Sequence, residues 1–156
     1  MSRFAIIGFG CAGYNALRAI RESGSTDEVE VYSTFPHAPA NPMLTTYYVK
    51  GKIPYEAMFP YGTTEEILAK YPCTLHSGVG VTALNAAHRE LTLTTGEKKR
   101  YDKILIASGA TAVNLPVGDI PADRIFTMRT VHDAERLKEA LEQRKVRSAL
   151  VVGASM

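Results

Sequence analysis

The stretch that most constrains the fold is FAIIGFGCAG, residues 4–13. Its first four residues are continuously apolar, which is typical of a strand buried on both faces of a parallel sheet. Gly8, Gly10 and Gly13 follow, and small apolar residues then recur at helical spacing. A second strand pattern, EVEVYS, lies at residues 28–33. Strand, glycine turn, helix and strand within about 30 residues predict a βαβ unit.

The spacing of these glycines suits a bound diphosphate. Gly8 permits a sharp turn, Gly10 has no side chain to block a close approach, and Gly13 lets the helix pack on the sheet. The diphosphate would lie on free N–H groups at the positive end of the helix. These groups belong to Gly10, Cys11, Ala12 and Gly13. The alternative is that the glycines serve tight packing alone. Because the motif follows a strand and opens a helix, we favour dinucleotide binding.

The end of the second strand departs from this fingerprint. An Asp or Glu normally stands there, about 20 residues beyond the glycines, and binds the ribose hydroxyls. Ser33, followed by Thr34, occupies that position here. A hydroxyl can hydrogen-bond a ribose, but it lacks the charge that makes such bonds roughly twice as strong. We therefore expect weakened cofactor binding, or compensation by another residue.

The other segments predict an α/β domain with a parallel sheet and an inserted β-hairpin. Strands are expected at residues 4–7, 29–32, 103–107 and 149–152, helices near 11–23 and 131–143, and a hairpin at 79–95. Thr63 and Glu66 form a capping box for a short helix that Pro72 ends. We expect residues 35–61 to be a long proline-rich loop with about one helical turn, and loops of that length are usually functional.

Composition argues against several functions. A net charge of +2 gives no support for nucleic-acid binding, and the basic run at 98–100 is interpreted as a solvated hairpin. No apolar run reaches the roughly 20 residues of a membrane helix, so we expect a cytoplasmic protein without membrane contact. Cys11 and Cys73 are interpreted as buried thiols. The scattered histidines predict no metal site, and the tyrosines at 47, 48, 55 and 61 are interpreted as aromatic packing of the long loop, with the lining of a ligand pocket as the alternative.

Four segments resemble the pyridine nucleotide-disulphide oxidoreductases, flavoprotein reductases with two dinucleotide-binding domains. GFGCAG resembles their FAD motif, and YDKILIASGA resembles their second signature. RIFTMRTVHDAERLKEAL is similar to the segment before the NAD domain, and LVVGASM to the start of the NAD(P)H-binding motif. The resemblance implies a Rossmann-like FAD-binding domain over 1–122. It also implies that 123–156 are a connecting helix and the first strand of a truncated NAD(P)H-binding domain, so that the chain is the first part of such an enzyme.

The loop after the second strand indicates a branch of that family. It lacks the cysteines of the disulphide-reducing members, and NPMLT at 41–45 is similar to the RPxLS stretch of ferredoxin- and rubredoxin-reductase-like members. There the stretch approaches the flavin and its diphosphate, which implies such roles for Asn41, Pro42 and Thr45. Asn41 replaces the family's arginine, and Thr46 stands where a lysine is common, so two positive charges are missing.

The resemblance implies further cofactor contacts. Backbone groups around Val81 would meet the adenine, although core packing is the alternative explanation for this residue. Ala107, Ser108 and Gly109 would approach the diphosphate, and small residues suit such an approach. No residue is identified as a catalytic acid, base or nucleophile.

The implied function is the FAD-binding portion of an NAD(P)H-dependent flavin oxidoreductase, which passes a hydride from NAD(P)H to FAD and electrons to an unidentified acceptor. The alternatives are a degenerate, non-catalytic adenine-nucleotide-binding module and an interaction domain. The chain lacks the acidic ribose partner, the loop arginine and the family's later flavin-contacting segment. We therefore expect the isolated chain to be inactive, to retain little or no FAD, and to self-associate through an apolar edge near 150–152.

Overall fold

The computed structural model describes residues 1–113, 115–143 and 146–153. In chain order its strands and helices are β1 (Arg3–Ile7), α1 (Cys11–Glu22), β2 (Glu28–Ser33), α2 (Thr45–Val49), α3 (Thr64–Lys70), β3 (Thr74–Ser77), β4 (Val81–Asn85), β5 (Glu90–Leu93), β6 (Lys98–Arg100), β7 (Lys103–Ile106) and α4 (Val131–Gln143). Two compact units are distinguished by their internal contacts. The first consists of Met1–Asn41 and Phe59–Ala110, and the second of Pro42–Met58 and the described residues from Thr111 onward. The domain boundary expected at residue 122 stays a prediction.

A parallel sheet with the strand order β3-β2-β1-β7 forms the centre of the first unit. Ile6 of β1 is paired with Val31 of β2 on one side and with Leu105 of β7 on the other. The order confirms the predicted βαβ unit, since β1 and β2 are neighbouring parallel strands joined through α1. The first and third predicted strands, at 4–7 and 103–107, also lie side by side in one sheet.

Each face of this sheet covers a separate hydrophobic core, because successive side chains of a strand point to opposite faces. The first core joins the sheet to α1 and α3, and its fully buried members include Ile6, Leu17, Val29, Val31 and Ile67. The second core joins the opposite face to the antiparallel strands, and contains Ala5, Tyr32, Leu91, Leu93 and Tyr101. The first unit therefore has three layers: helices, parallel sheet and antiparallel sheet.

The antiparallel layer has the strand order β4-β5-β6. Its first two strands confirm the hairpin predicted at 79–95. The basic run at 98–100 forms a third strand, and only its outer two side chains are largely exposed. Lys99 instead lies 22% exposed with its Nζ 3.0 Å from a carboxylate oxygen of Glu30. The expectation of a solvated basic run is therefore wrong for Lys99.

A threonine side chain caps one helix in each unit. Thr63 accepts a hydrogen bond from the backbone N–H of Glu66, and the Glu66 carboxylate accepts one from the N–H of Thr63, which confirms the capping box of α3. In the second unit the Thr130 hydroxyl oxygen accepts from the N–H of Asp133, 3.1 Å away, at the start of α4. These caps satisfy N–H groups that a helix leaves without internal partners.

The second unit is built around α4 and the short helix α2. The rings of Tyr48 and Tyr55 meet edge to face at 5.8 Å between centroids, and the ammonium of Lys138 lies 5.5 Å from the centroid of Tyr48. These contacts confirm aromatic packing for Tyr48 and Tyr55. Tyr47, by contrast, is 51% exposed.

One element was not predicted from the sequence, and another was predicted wrongly. β3 pairs with β2 along the sheet edge, in a stretch for which no element was predicted. Residues 149–152 were expected to form a strand, but they form none within the described range 146–153. A strand needs a neighbour for its backbone N–H and C=O groups, and Leu150 is 90% exposed. The local apolar pattern is therefore insufficient to form a strand there.

Candidate functional site

Three chain segments meet at the carboxyl edge of the parallel sheet. The glycine turn follows β1, Ser33 ends β2, and Ala107 follows β7 directly. In the sheet, β1 lies between β2 and β7. After β1 the chain continues through α1 to β2, whereas β7 belongs to a later part of the sequence. Such a switch in strand order opens a crevice at the carboxyl ends, where open α/β sheets bind their ligands.

Gly8 makes the first turn of this edge and cannot be replaced without strain. Its φ of +107° lies in a region that side chains disfavour, and its N–H donates a hydrogen bond to the carbonyl of Tyr32 at 2.8 Å. A Cβ atom at this position would overlap the backbone carbonyl of Ala107. The glycine therefore allows the β1 and β7 chain ends to touch.

Gly13 brings α1 against the same turn. It is buried in the first turn of the helix, and a Cβ there would overlap the carbonyl oxygen of Gly8 and lie 3.3 Å from Cγ2 of Ile6. The two glycines thus have structural reasons for being glycine. Their positions agree with the tight turn and close helix packing that the motif predicts.

Gly10 is different, because neither its conformation nor its packing requires glycine. Its φ of −84° and ψ of −165° are extended values that any residue adopts, and it is the N-cap of α1 without a side-chain cap. Among the described residues, and apart from Gly10 itself and its chain neighbours, no atom lies within 4 Å of where its Cβ would be. Gly10 therefore leaves open space in front of the helix end.

The electrostatics of that helix end favour an anion. The first turn of α1 contains no acidic residue, and the first hydrogen bond of the helix is the one from the N–H of Tyr14 to the carbonyl of Gly10. The preceding N–H groups are the ones that a helix leaves unsatisfied, and the helix dipole makes this end positive. The open space at Gly10 can therefore accept a phosphate group.

Cys11, the first residue of α1, is exposed, so the expectation of a buried thiol is wrong for it. Its Sγ and the hydroxyl oxygen of Tyr61 are hydrogen-bonded at 3.0 Å, and this bond is the main cause of a raised pKa of Tyr61. Tyr61 stacks on Tyr14 with the ring centroids 4.2 Å apart, which confirms its expected aromatic packing. Cys73 is partly buried, and burial raises the pKa of its thiol to about 11.

The turn after β7 faces the glycine motif through Ala107. The N–H of Ala107 donates to the carbonyl of Ile7 at 2.8 Å, which extends the β1–β7 ladder by one bond. Ser108 and Gly109 follow and are exposed, and Gly109 has a φ of +71°. The structure thus brings Gly8, Gly13 and Ala107 into direct proximity, as the sequence predicts.

Ser33 lies at the expected strand end, but its hydroxyl is already engaged. It donates to the carbonyl of Phe35 at 3.0 Å and accepts from the N–H of the same residue at 3.2 Å, in a buried local turn. Thr34 is exposed and lies against Gly80, whose Cβ would be 2.9 Å from Cγ2 of Thr34. Thr34 is therefore the more accessible hydroxyl at this strand end.

The remaining predicted site residues have local roles in the structure. Val81 is half-buried and packs against the core of the antiparallel layer, which supports its core-packing explanation. Asn41 ends the first segment of the first unit and is half-buried. Pro42 and Thr45 belong to the second unit, where the buried Thr45 donates its hydroxyl to the carbonyl of Pro42 at 2.7 Å. Their part in cofactor binding stays a prediction.

A buried carboxylate on β2 was not foreseen from the sequence. Glu30 is 4% exposed, and it accepts hydrogen bonds from the side chains of Arg3, Tyr32 and Lys99 at 2.9–3.0 Å, with Nε2 of His76 at 2.6 Å. Burial alone would raise the pKa of Glu30, but the bonds from Lys99, His76 and Tyr32 outweigh it and lower the pKa to about 2. The only sequence signal was an acid at an inward position of a buried strand.

Within the described ranges, no group of three or more His, Cys, Asp or Glu side chains is arranged to hold a metal ion. None of the described helices is both long enough and apolar enough to cross a membrane.

Comparison with known proteins agrees with this geometry. The family profile described as "Pyridine nucleotide-disulphide oxidoreductase" matches residues 2–156. The chain belongs to this family. The profile therefore covers both the glycine turn at β1 and the β7 turn that contacts it.

Solved structures of other proteins share the fold. The covalent putidaredoxin reductase–putidaredoxin complex is similar with a TM-score of 0.78 and 27% identity, over 90% of this chain and 34% of the other. The water-forming NADH oxidase from Lactobacillus brevis, bound to NADH, gives a TM-score of 0.81 and 21% identity, over 92% of this chain and 33% of the other. For the NADH:rubredoxin oxidoreductase from Clostridium acetobutylicum, the TM-score is 0.72 and the identity is 20%, over 90% of this chain and 36% of the other. The chain spans about a third of the length of these proteins. Their similarity confirms the predicted α/β, Rossmann-like fold class.

Proposed function

We propose that this chain is the FAD-binding portion of an NAD(P)H-dependent flavin oxidoreductase. The observation that carries the proposal is Gly10, since no conformational or packing demand explains a glycine there. A ligand in close contact with the backbone does explain it. The anion-favouring helix end and the crevice at the strand switch support the same conclusion.

The proposed roles follow the positions of the residues. The amides between Gly10 and Gly13 hold the diphosphate, while Ser33 and Thr34 lie on the ribose side. Backbone groups near Val81 meet the adenine, and the segment Ala107, Ser108 and Gly109 lies beside the diphosphate. Asn41, Pro42 and Thr45 contribute to the flavin side, as the family resemblance implies.

These residues bind and orient a cofactor and do no acid–base chemistry themselves. A flavin held by these residues would supply the chemistry of hydride acceptance from NAD(P)H and of electron transfer to an acceptor. The contribution of this chain is a close backbone contact and the positive end of α1 beside the diphosphate. NAD(P)H itself would bind to a second domain of the complete enzyme.

A non-catalytic adenine-nucleotide-binding module is a second candidate. It is favoured by the Ser33 hydroxyl, which is engaged with Phe35, and by the absence of an acidic residue at that strand end. Such a module would bind ADP and FAD equally, since only the shared ADP moiety would be recognised. A flavin-binding domain would bind FAD more tightly than ADP, because its flavin side adds contacts.

The test is ligand binding to a matched pair of variants. Gly10→Val fills the open space at the helix end, whereas Ala19→Val adds bulk to an exposed position of the same helix. FAD at about 100 times its Kd should stabilise the parent and Ala19→Val by about 2.7 kcal/mol, and should not stabilise Gly10→Val. Thermal melts and visible flavin absorbance, each with FAD and with ADP, provide the readouts. Equal FAD stabilisation of a folded Gly10→Val variant would refute the proposed site.

A further inference from the structure

A cavity of about 240 Å³ lies at the edge of the parallel sheet opposite the glycine turn. Arg3 begins β1 and Asp102 directly precedes β7, whereas the glycine turn follows the last residue of β1. At roughly 3.3 Å per residue, β1 places the two edges about 16 Å apart. The cavity is lined by Arg3, His88, Arg89, Arg100, Tyr101 and Asp102. None of these residues belongs to the proposed cofactor site.

The lining of this cavity is mainly cationic. It contains three arginines and one carboxylate, that of Asp102, which already accepts a hydrogen bond from the backbone N–H of Arg3 at 2.8 Å. Arg3 and Arg100 are paired with glutamates outside the lining at 2.9–3.2 Å. Arg89 forms no ion pair with any residue of the described ranges. Its charge is therefore available to a ligand.

The backbone of Arg89 does not explain why this residue is an arginine. It ends the turn between β4 and β5 with a φ of +49°, which glycine or asparagine adopts more readily. Its carbonyl accepts from the N–H of Tyr101 at 3.0 Å, and its Nη1 donates to the carbonyl of Asp102 at 3.2 Å. That bond holds the guanidinium at the cavity, and it is the one side-chain hydrogen bond of Arg89 to the described residues. Most of its five N–H donors remain free.

Arg100 supplies a second guanidinium with free donors. Its Nε is bonded to Glu90 at 2.9 Å, and neither Nη atom has a hydrogen-bond partner in the described part of the chain. The side chain is 71% exposed, so these N–H groups are accessible. Guanidinium N–H groups form a fork that matches two oxygens of a phosphate group. Two such forks at one cavity suit a small oxyanion.

We infer that this cavity binds a phosphate group through Arg89 and Arg100, as a second anion site of the chain. The site lies at the other edge of the sheet from the proposed cofactor site and does not depend on it. Its ligand is either inorganic phosphate or the phosphate monoester of a larger molecule, since both present the same oxygens to the arginines. Asp102 opposes binding, because its carboxylate repels a ligand of like charge.

The experiment follows the backbone amide resonances of the ¹⁵N-labelled protein during titration at fixed ionic strength. The probes are inorganic phosphate and phenyl phosphate, a monoester. Binding at the cavity should shift the amides of Arg89, Arg100 and Asp102 until they reach saturation. The amides from Gly10 to Gly13 report separately on the glycine turn, so phosphate that binds there is distinguished from phosphate at the cavity.

Three variants test the residues that hold the ligand. Arg89→Gln should weaken phosphate binding at least about tenfold, because hydrogen bonds to a charged group are lost. Lys98→Gln removes the same charge from a 64% exposed side chain of β6 that does not line the cavity, and should have little effect because salt screens exposed charges. Asp102→Asn should strengthen binding, since the amide oxygen still accepts from the N–H of Arg3 but no longer repels the ligand. Circular dichroism verifies that each variant is folded.

The outcomes decide both the existence of the site and the source of its ligand. Tighter binding of phenyl phosphate identifies a monoester, and tighter binding of inorganic phosphate identifies the free ion. The inference is wrong if the amides of Arg89, Arg100 and Asp102 do not shift. It is also wrong if Arg89→Gln and Lys98→Gln weaken binding equally, because that result would show only general attraction of charge. Shifts confined to residues 10–13 would support the cofactor site and overturn this second one.

Discussion

The carbonyl group of Ala107 occupies the space that a Cβ atom on Gly8 would need. This contact joins the end of β1 to the end of β7, two strands that are about 100 positions apart in the sequence and adjacent in the sheet. It brings the two chain ends together at the point where the glycine turn begins. The fold and the proposed cofactor site therefore depend on the same glycine.

Replacing Gly8 with alanine should destabilise the fold by about 3 kcal/mol, since both a strained φ and a steric overlap are introduced. Gly24→Ala is the matched control. Its φ of +80° also disfavours a side chain, but apart from its chain neighbours no atom of the described residues lies within 4 Å of the added Cβ. The control should cost only about 1 kcal/mol. Urea unfolding of both variants measures the difference, and equal losses would show that the Ala107 contact is relaxed without cost.

A second prediction concerns Glu30. Glu30→Gln keeps the shape of the side chain but removes the charge that Arg3 and Lys99 pair with, and should cost about 3 kcal/mol at neutral pH. Glu28→Gln is the control, because Glu28 is 48% exposed and pairs with Arg3 at 3.2 Å. Exposed pairs contribute about 0–1 kcal/mol. A loss for Glu30→Gln no larger than that of the control would contradict a stabilising role for the buried charge.

The same carboxylate predicts a dependence of stability on pH. The pKa of Glu30 in the folded protein is lowered from 4.5 to about 2. Because the pKa is lowered on folding, the ionised carboxylate stabilises the fold fully at a pH above its pKa in the unfolded state. This stabilisation is lost as the pH falls toward its pKa in the folded state. The free-energy difference between the parent and Glu30→Gln should therefore be constant above pH 4.5 and shrink between pH 4.5 and 2. Urea titrations across this range test it, and a difference that does not change with pH would refute the assignment.

The sequence predicts local features of this fold better than distant ones. The glycine turn is recognisable because its strand, spacing and helix lie within a few residues, and Thr63 with Glu66 form a cap for the same reason. The partners of Glu30 are 46 residues away at His76 and 69 residues away at Lys99. No local pattern indicates such a pairing. Lys99 was accordingly interpreted as solvated.

Short strands depend on their neighbours in the same way. β3 (TLHS) has a single strongly apolar residue, and it is a strand because β2 offers a free edge. Residues 149–152 have a stronger apolar pattern but pair with no other described segment. Because a strand needs a partner for its backbone, pattern alone did not indicate β3 and wrongly predicted a strand at 149–152.

The exposure of Cys11 predicts selective alkylation. Cys11 is exposed at the first residue of α1, whereas burial raises the pKa of Cys73 to about 11, so an alkylating reagent should react with Cys11 first. Intact-mass analysis of the parent, Cys11→Ser and Cys73→Ser identifies the modified thiol. The adduct would stand beside the open space at Gly10 and should block nucleotide binding. Bound FAD should in turn slow the modification, and alkylation that proceeds equally fast with and without FAD would contradict this position for the diphosphate.

The last prediction concerns the apolar residues at 150–152. Leu150, Val151 and Val152 are 90%, 79% and 68% exposed, and such a run of β-branched and leucine side chains favours pairing between chains. We expect the sedimentation coefficient of the purified protein to rise with concentration. Val151→Lys should weaken this self-association about tenfold, because a charge cannot be buried between two such segments without cost. Val113→Lys is the control, since Val113 is equally exposed at 85% but has no comparable apolar run around it. A protein that stays monomeric at all concentrations, or an equal effect of the two lysines, would show that residues 150–152 are not a contact surface.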